Sequence, residues 1–194
     1  MLPLLERYLL ISNMKVKLLQ FAKLPPPIGG VSIHVGRLIS RAKRRQDIDI
    51  EVLDYSREKN MFLFLNKILL SKIIHIHLTN KKYRLFFTFL FKLMLKKVII
   101  TFHGKYDFES NFDKFSLKLS IASIVLNDFS YANAKRYKKS GIYKIGAFIP
   151  PVENEIVPLK NEVLQKLKGL NEKYQKVFCT NASSLAFDDL GREI

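Results

Sequence analysis

The amino-acid sequence predicts an α/β protein with a parallel sheet that is covered by helices on both faces. Two observations lead to this fold class: short β-branched or apolar runs alternate with segments of helical periodicity, and the alternation repeats along most of the 194 residues. Apolar residues make up 48% of the chain and charged residues 26%, so disordered and collagen-like architectures are excluded. The length fits one large domain, or one domain with the start of another.

Six strands are predicted from short runs that are rich in valine, isoleucine and other apolar residues. They are Lys15–Ala22, Ile48–Asp54, Ile73–Leu78, Val98–Phe102, Ile121–Asn127 and Tyr143–Ile149. In such sheets the ligand crevice lies outside the carboxyl ends of the strands. The residues that follow each strand are therefore the first candidates for a functional site.

Five helices are predicted between these strands, where apolar residues recur at helical spacing. They are Val31–Arg45, Met61–Leu70, Lys82–Lys96, Asp113–Ser120 and Tyr131–Ser140. Each predicted helix connects two predicted strands, as parallel pairing requires.

The alternation stops at Pro150 and Pro151, because proline fixes φ and constrains the residue before it. A charged helical segment at Leu159–Tyr174 and a strand-like run at Lys176–Thr180 follow. The expected organisation is an N-terminal extension over residues 1–13, a domain over 14–151, and a linker with the beginning of a second domain over 152–194.

The net charge is strongly positive, since 33 basic residues against 17 acidic residues give +16. Such an excess favours an anionic partner: nucleic acid, an acidic membrane surface or a phosphorylated ligand. The chain lacks an RNP-type aromatic motif and a zinc-finger spacing, so nucleic acid is not expected as a partner.

The cellular compartment is inferred from three observations. The single cysteine, Cys179, cannot form an internal disulfide or build a zinc site, which fits a reducing compartment. Residues 1–13 do not read as a signal peptide, because Glu6 and Arg7 interrupt the apolar stretch. The most apolar run, Tyr83–Leu95, contains Lys92 and is too short to span a bilayer. We expect a cytoplasmic protein.

The predicted helix around residues 81–97 carries one narrow polar stripe, because its polar residues follow helical steps. They are Lys81, Arg84, Thr88, Lys92 and Lys96. One interpretation is docking on the inner face of the plasma membrane, with the apolar residues inserted and Lys81, Arg84, Lys92 and Lys96 facing anionic headgroups. The other is a helix that covers the sheet and exposes one solvated face.

Glycines and histidines follow three of the predicted strands. Gly29 and Gly30 open a helix, where backbone N–H groups and the positive end of the dipole attract anions, although such turns are also common without a ligand. His75 and His77 share one strand face, and His77 contacts substrate, has a structural role or, with ligands from elsewhere, binds a metal. His103 either hydrogen-bonds a ligand, transfers a proton or bonds a neighbouring loop.

Five segments in order resemble the N-terminal domain of family-4 glycosyltransferases, which have the GT-B fold. They are "GGVSIHVGRL", "IIHIH", "VIITFHGKYDF", "SIVLNDFSYANAKRYKKSG" and "IGAFIPPVE", and the match covers about Lys15 to Pro151. The closing "NASSL" and "DDLGREI" resemble the entry to the C-terminal domain of members that build bacterial surface polysaccharides.

The resemblance implies transfer of a sugar from a nucleotide-sugar to a glycan or lipid-linked acceptor, between two Rossmann-like domains. The family usually needs no metal, so neither a metal nor a cofactor is expected, and the nucleotide-sugar is the donor substrate. By the same resemblance, Gly29 and Gly30 face the donor phosphates and the acceptor.

The resemblance also assigns four residues at strand ends. His103, with Gly104, contacts the donor sugar and is the expected catalytic position, while His77 and Asn127 line the acceptor side. The glutamates and basic residues with which the family binds the donor nucleotide lie in the second domain, and the sequence ends at Ile194 before any match to them. We therefore expect no transfer without a complementing C-terminal half. The alternative is a non-catalytic module that binds a glycan or a membrane.

Overall fold

The computed structural model describes residues 15–26, 29–147, 149 and 160–174. Its strands are β1 (Val16–Ala22), β2 (Ile48–Asp54), β3 (Ile73–Ile76), β4 (Lys97–Phe102), β5 (Ala122–Val125) and β6 (Ile142–Lys144). All neighbouring strands pair in parallel, in the order β2-β1-β3-β4-β5-β6. The predicted fold class is confirmed: this is a Rossmann-like α/β sheet.

The described helices connect successive strands, except for the last one. They are α1 (Gly30–Ala42), α2 (Met61–Leu70), α3 (Lys81–Leu93), α4 (Asn111–Leu119), α5 (Asp128–Tyr137) and α6 (Asn161–Lys173). The chain divides into two compact units, Met1–Pro150 and Pro151–Ile194, and α6 belongs to the second. The predicted extension over 1–13, the predicted strand Lys176–Thr180 and Cys179 lie outside the described residues.

Helices cover both faces of the sheet because the chain changes direction after β2. The connection from β1 leads outward to β2, and all later connections lead the opposite way, so right-handed crossovers place α1 on one face and α2 to α5 on the other. The larger core joins Ile68 of α2, Phe91 of α3, Leu117 of α4 and Ala134 of α5 to the sheet. A smaller core packs Val35 and Ile39 of α1 near Ala22.

Several predicted strands are shorter in the structure because neighbouring residues cap helices or leave the sheet. Asn127, predicted as the end of a strand, is the N-cap of α5, and its Oδ1 accepts from the Ser130 N–H at 2.8 Å. After Ile145 the chain leaves β6, and the carbonyl oxygens of Ala147 and Ile149 accept from α1 side chains. These polar contacts lie beyond the reach of a hydrophobicity pattern.

The polar stripe predicted on α3 does not form a solvated face, and placing Arg84 at a membrane surface was wrong. Arg84 is fully buried, donates to the Leu78 carbonyl at 2.8 Å, pairs with Asp113 of α4 and lies 4.7 Å from the Phe102 ring centre. Thr88 is also buried and donates to the Arg84 carbonyl. The stripe turns inward because α4 supplies a carboxylate to neutralise the guanidinium.

Of the other stripe residues, Lys81 is exposed, and Lys92 and Lys96 are half-buried. The Lys96 ammonium donates to the Leu69 carbonyl at the end of α2. The outward face of α3 is instead apolar, since Phe86 and Phe89 are more than half exposed.

Removing the buried carboxylate tests this account of α3. Asp113→Ala leaves the Arg84 charge buried without its partner, so we expect the free energy of unfolding to fall by about 3 kcal/mol or more. The matched control is Asp128→Ala, which breaks an exposed pair with Lys144 and is expected to cost less than about 1 kcal/mol. Urea unfolding followed by circular dichroism measures both, and equal losses would contradict the account.

Candidate functional site

All four histidines of the sequence come together near the carboxyl ends of β3 and β4. His77 directly follows β3, His103 directly follows β4, and His75 lies within β3 on the same side as His77. His34 projects from α1 toward them, with its ring centre 5.3 Å from that of His103. The parallel register and the position of α1 therefore build a histidine cluster from three separate stretches of sequence.

A chain of hydrogen bonds fixes two of these rings. Gln20 of β1 is buried, and its Oε1 lies 2.8 Å from His77 Nε2, while His77 Nδ1 lies 3.0 Å from His103 Nε2. Because an amide oxygen only accepts, His77 donates from Nε2 and accepts at Nδ1 from the Nε2–H of His103. A neutral His103 is left with Nδ1 as a hydrogen-bond acceptor.

The other two histidines have separate partners. His75 Nε2 lies 2.8 Å from the Thr101 hydroxyl, and both residues are buried. His34 donates from Nδ1 to the Ala147 carbonyl at 2.8 Å, which ties α1 to the segment after β6. His34 thus lies on the α1 side of the histidine cluster and takes no part in the hydrogen-bond chain of Gln20, His77 and His103.

Burial keeps three of these histidines uncharged at neutral pH. Burial, with smaller effects from His34 and Arg84, lowers the pKa of His103 to about 4. Burial and the neighbouring histidines lower the pKa of His75 to about 3 and that of His77 well below its ordinary value. At pH 7 a neutral His103 is a weak proton acceptor in catalysis but a good hydrogen-bond partner for a hydroxyl group.

A cavity of about 270 Å³ lies beside His77, between the loop that opens α1 and the ends of β1 and β3. Gly29 and Gly30 line it, together with Lys23, Tyr55 and Thr79. Neither glycine adopts a positive φ, and a Cβ on Gly30 would meet no atom within 4 Å. The backbone therefore does not require glycine there, and the missing side chains leave the cavity open.

The predicted anion site at the start of α1 is partly used by the loop itself. The Gly29 N–H donates to Ser32 Oγ at 3.1 Å, and that hydroxyl donates back to the Gly29 carbonyl at 3.0 Å. This reciprocal contact caps α1 and fixes the shape of the cavity wall.

Gly104 and Asn127 support His103 from behind. Gly104 has φ of +129°, which side chains disfavour, so the turn after His103 requires glycine. The Asn127 amide donates to the Gly104 carbonyl at 3.0 Å while its oxygen caps α5. Asn127 thus holds the turn that carries His103.

The structure brings together Gly29, Gly30 and His77 around the cavity and places His103 against His77. Sequence reasoning missed Gln20 and His34. Gln20 could have been recognised as a polar residue within the otherwise apolar end of β1, and His34 as part of the segment that follows the glycine loop.

In the described part of the chain, no group of three or more His, Cys, Asp or Glu side chains is arranged to hold a metal ion.

Comparison with family models, with curated proteins and with solved structures finds no match to this chain. Among the residues that the structure describes, no helix is long and apolar enough to cross a membrane.

The hydrogen-bond chain predicts that Gln20 controls the tautomer of His103. In Gln20→Leu, His77 loses the acceptor for Nε2–H, so we expect His103 to change from one tautomer to a mixture. Imidazole ¹⁵N NMR reports which ring nitrogen carries the proton. Thr101→Val is the control, since it removes only the partner of His75; an unchanged His103 spectrum in Gln20→Leu would contradict the chain.

The buried histidines predict a loss of stability in mild acid. Their folded pKa values lie below the ordinary 6.5, so the unfolded chain binds more protons, and the free energy of unfolding falls as the pH drops below 6.5. His103 contributes at most about 1.4 kcal/mol per pH unit, down to its folded pKa of about 4. In His103→Gln we expect the free energy of unfolding to fall less steeply between pH 6.5 and 4.5 than in the wild type. Urea unfolding at each pH measures this slope, and equal slopes in the two proteins would show that burial of His103 does not lower its pKa.

Proposed function

We propose that residues 15–147 form the acceptor-side half of a glycosyltransferase, which uses a nucleotide-sugar donor and a glycan or lipid-linked acceptor. The observation that carries the proposal is the open cavity at the glycine loop, at the carboxyl ends of parallel strands. His77 lines this cavity, and the neutral His103 lies 3.0 Å from His77. Ligands of open α/β sheets bind at this edge. The order of the five sequence segments supports the same assignment.

The chemistry of sugar transfer assigns a role to each part of the site. The oxygen of an acceptor hydroxyl forms a bond to the anomeric carbon, the nucleoside diphosphate leaves with the electron pair of the broken bond, and the hydroxyl proton passes to the departing phosphate group or to water. In this proposal His103 Nδ1 accepts a hydrogen bond from a hydroxyl of the sugar, and Gln20 and His77 hold that nitrogen in its accepting form. The ring orients the sugar and does not act as the main base, because its pKa lies near 4.

The glycine loop provides space where the sugar and the acceptor meet. Lys23 at the cavity adds a positive charge that favours the phosphates of the donor. The described residues contain one Rossmann-like sheet, and in the resembled family the donor nucleotide is held by a second. We therefore include a complementing C-terminal half in the proposal and expect binding, without transfer, from residues 15–147.

Saturation-transfer NMR on the full chain tests the proposal, with UDP-glucose, UDP-N-acetylglucosamine and GDP-mannose as probes. We expect saturation on the sugar protons of at least one probe and much less on the base protons. Gly30→Val fills the cavity, so we expect binding to weaken at least about tenfold, or 1.4 kcal/mol.

The matched control is Gly36→Val on the same helix, which also adds a side chain into open space but away from the cavity. Equal binding by both variants, or no saturation with any probe, would contradict the proposed site. Binding without transfer, even after a complementing half is supplied, would favour the non-catalytic glycan-binding module.

A further inference from the structure

Three neighbouring helices on one side of the sheet expose large apolar side chains to solvent. We call this set the apolar face; it comprises Met61, Phe62, Leu65 and Leu69 of α2, Phe86, Phe89 and Leu93 of α3, and Phe112 and Phe115 of α4. Phe62 is 80% exposed, Leu93 66% and Phe86 58%. These residues belong to the helices that cover the sheet face opposite α1, away from the histidine cluster.

A groove between α3 and α4 forms the centre of the apolar face. Its volume is about 540 Å³, and its walls come from Leu85, Phe86, Phe89, Phe112 and Phe115. Lys82 stands at its edge. Soluble monomers rarely expose a contiguous apolar patch of this kind, and such patches mark interaction surfaces.

The exposed charges on the three helices themselves are of one sign. The only acidic residue in α2, α3 and α4 is Asp113, which is buried and paired with Arg84. Lysines border the apolar side chains, and Lys81, Lys82 and Lys118 are exposed. The three helices therefore present aromatic rings and ammonium groups and no exposed carboxylate.

Exposed aromatic rings beside lysines favour an anionic bilayer over a second copy of the chain as the partner of the apolar face. A second copy of the chain would bring lysines against lysines, with no carboxylate on the three helices to neutralise them. An anionic bilayer matches both components, because phenylalanine inserts at the boundary of headgroups and acyl chains and lysine attracts lipid phosphates.

We propose that the apolar face docks onto a membrane rich in anionic lipid, with Phe86 and Phe89 inserted and Lys82 and Lys118 on the headgroups. This inference stands independently of the proposed sugar transfer, since it uses none of the residues of the candidate site. It differs from the membrane interpretation of the sequence in the residues that face the lipid. Arg84 takes no part, because it is buried beneath the docking surface.

Vesicle co-sedimentation of the full chain tests the proposal, with phosphatidylcholine alone and with about 30 mol% phosphatidylglycerol added. We expect binding to the anionic vesicles only, weakening as salt is raised. The double variant Phe86→Ser and Phe89→Ser should lose binding about tenfold or more. Tyr143→Ser is its control, since Tyr143 is 55% exposed on the opposite face of the sheet.

Two double charge-reversal variants test the contribution of the lysines to vesicle binding. Lys82→Glu with Lys118→Glu should weaken binding to the anionic vesicles about tenfold or more. Lys43→Glu with Arg44→Glu makes the same charge change just after α1 and should leave most of the binding. Circular dichroism and thermal unfolding establish that each variant remains folded.

Three results would overturn the proposal. The first is the absence of binding to anionic vesicles by the folded wild-type chain. The second is an equal loss of binding in the test and control variants. The third is a stable dimer in sedimentation velocity that Phe86→Ser with Phe89→Ser dissociates, which would assign the apolar face to a second copy.

Discussion

The register of the three central strands determines where the candidate site forms. Parallel pairing places His75 of β3 beside Gln20 of β1 and Ile99 of β4, so the residues that follow β3 and β4 emerge at the same edge. His77 and His103 then come within hydrogen-bond distance, and Gln20 reaches His77 from β1. A shift of one residue in β3 or β4 would turn His77 or His103 to the other face, and the same shift in β1 would turn Gln20 away from His77.

The two faces of the sheet have different properties because their covers differ. On the α1 side, a single helix leaves room for polar side chains and a cavity, and burial lowers the pKa values of His75 and His103. On the other side, α2 to α5 complete the apolar core, and the outer surfaces of α2, α3 and α4 remain apolar. Sugar binding and lipid contact are thus proposed for opposite sides of the sheet.

Much of the fold could be predicted from the sequence, because strand and helix periods are local properties. β2 and α2 have the predicted bounds, and the parallel pairing was expected from the alternation of strands and helices, whereas the order of the strands was not predicted. The stripe on α3 was predicted to face solvent, but Arg84 and Thr88 of this stripe are buried. Periodicity identifies which residues share a helix face, but it does not show whether another helix supplies a partner such as Asp113. Gln20 and His34 join the site through contacts 57 or more residues apart in the chain, which no local pattern reveals.

We propose that neutral His103 offers Nδ1 to a hydroxyl of the sugar, and imidazole ¹⁵N NMR during addition of a nucleotide-sugar detects this hydrogen bond. We expect the Nδ1 resonance of His103 to move as that nitrogen accepts a hydrogen bond, while Nε2 remains protonated toward His77. An unchanged His103 spectrum with a bound sugar, or a proton resident on His103 Nδ1, would contradict this role of His103.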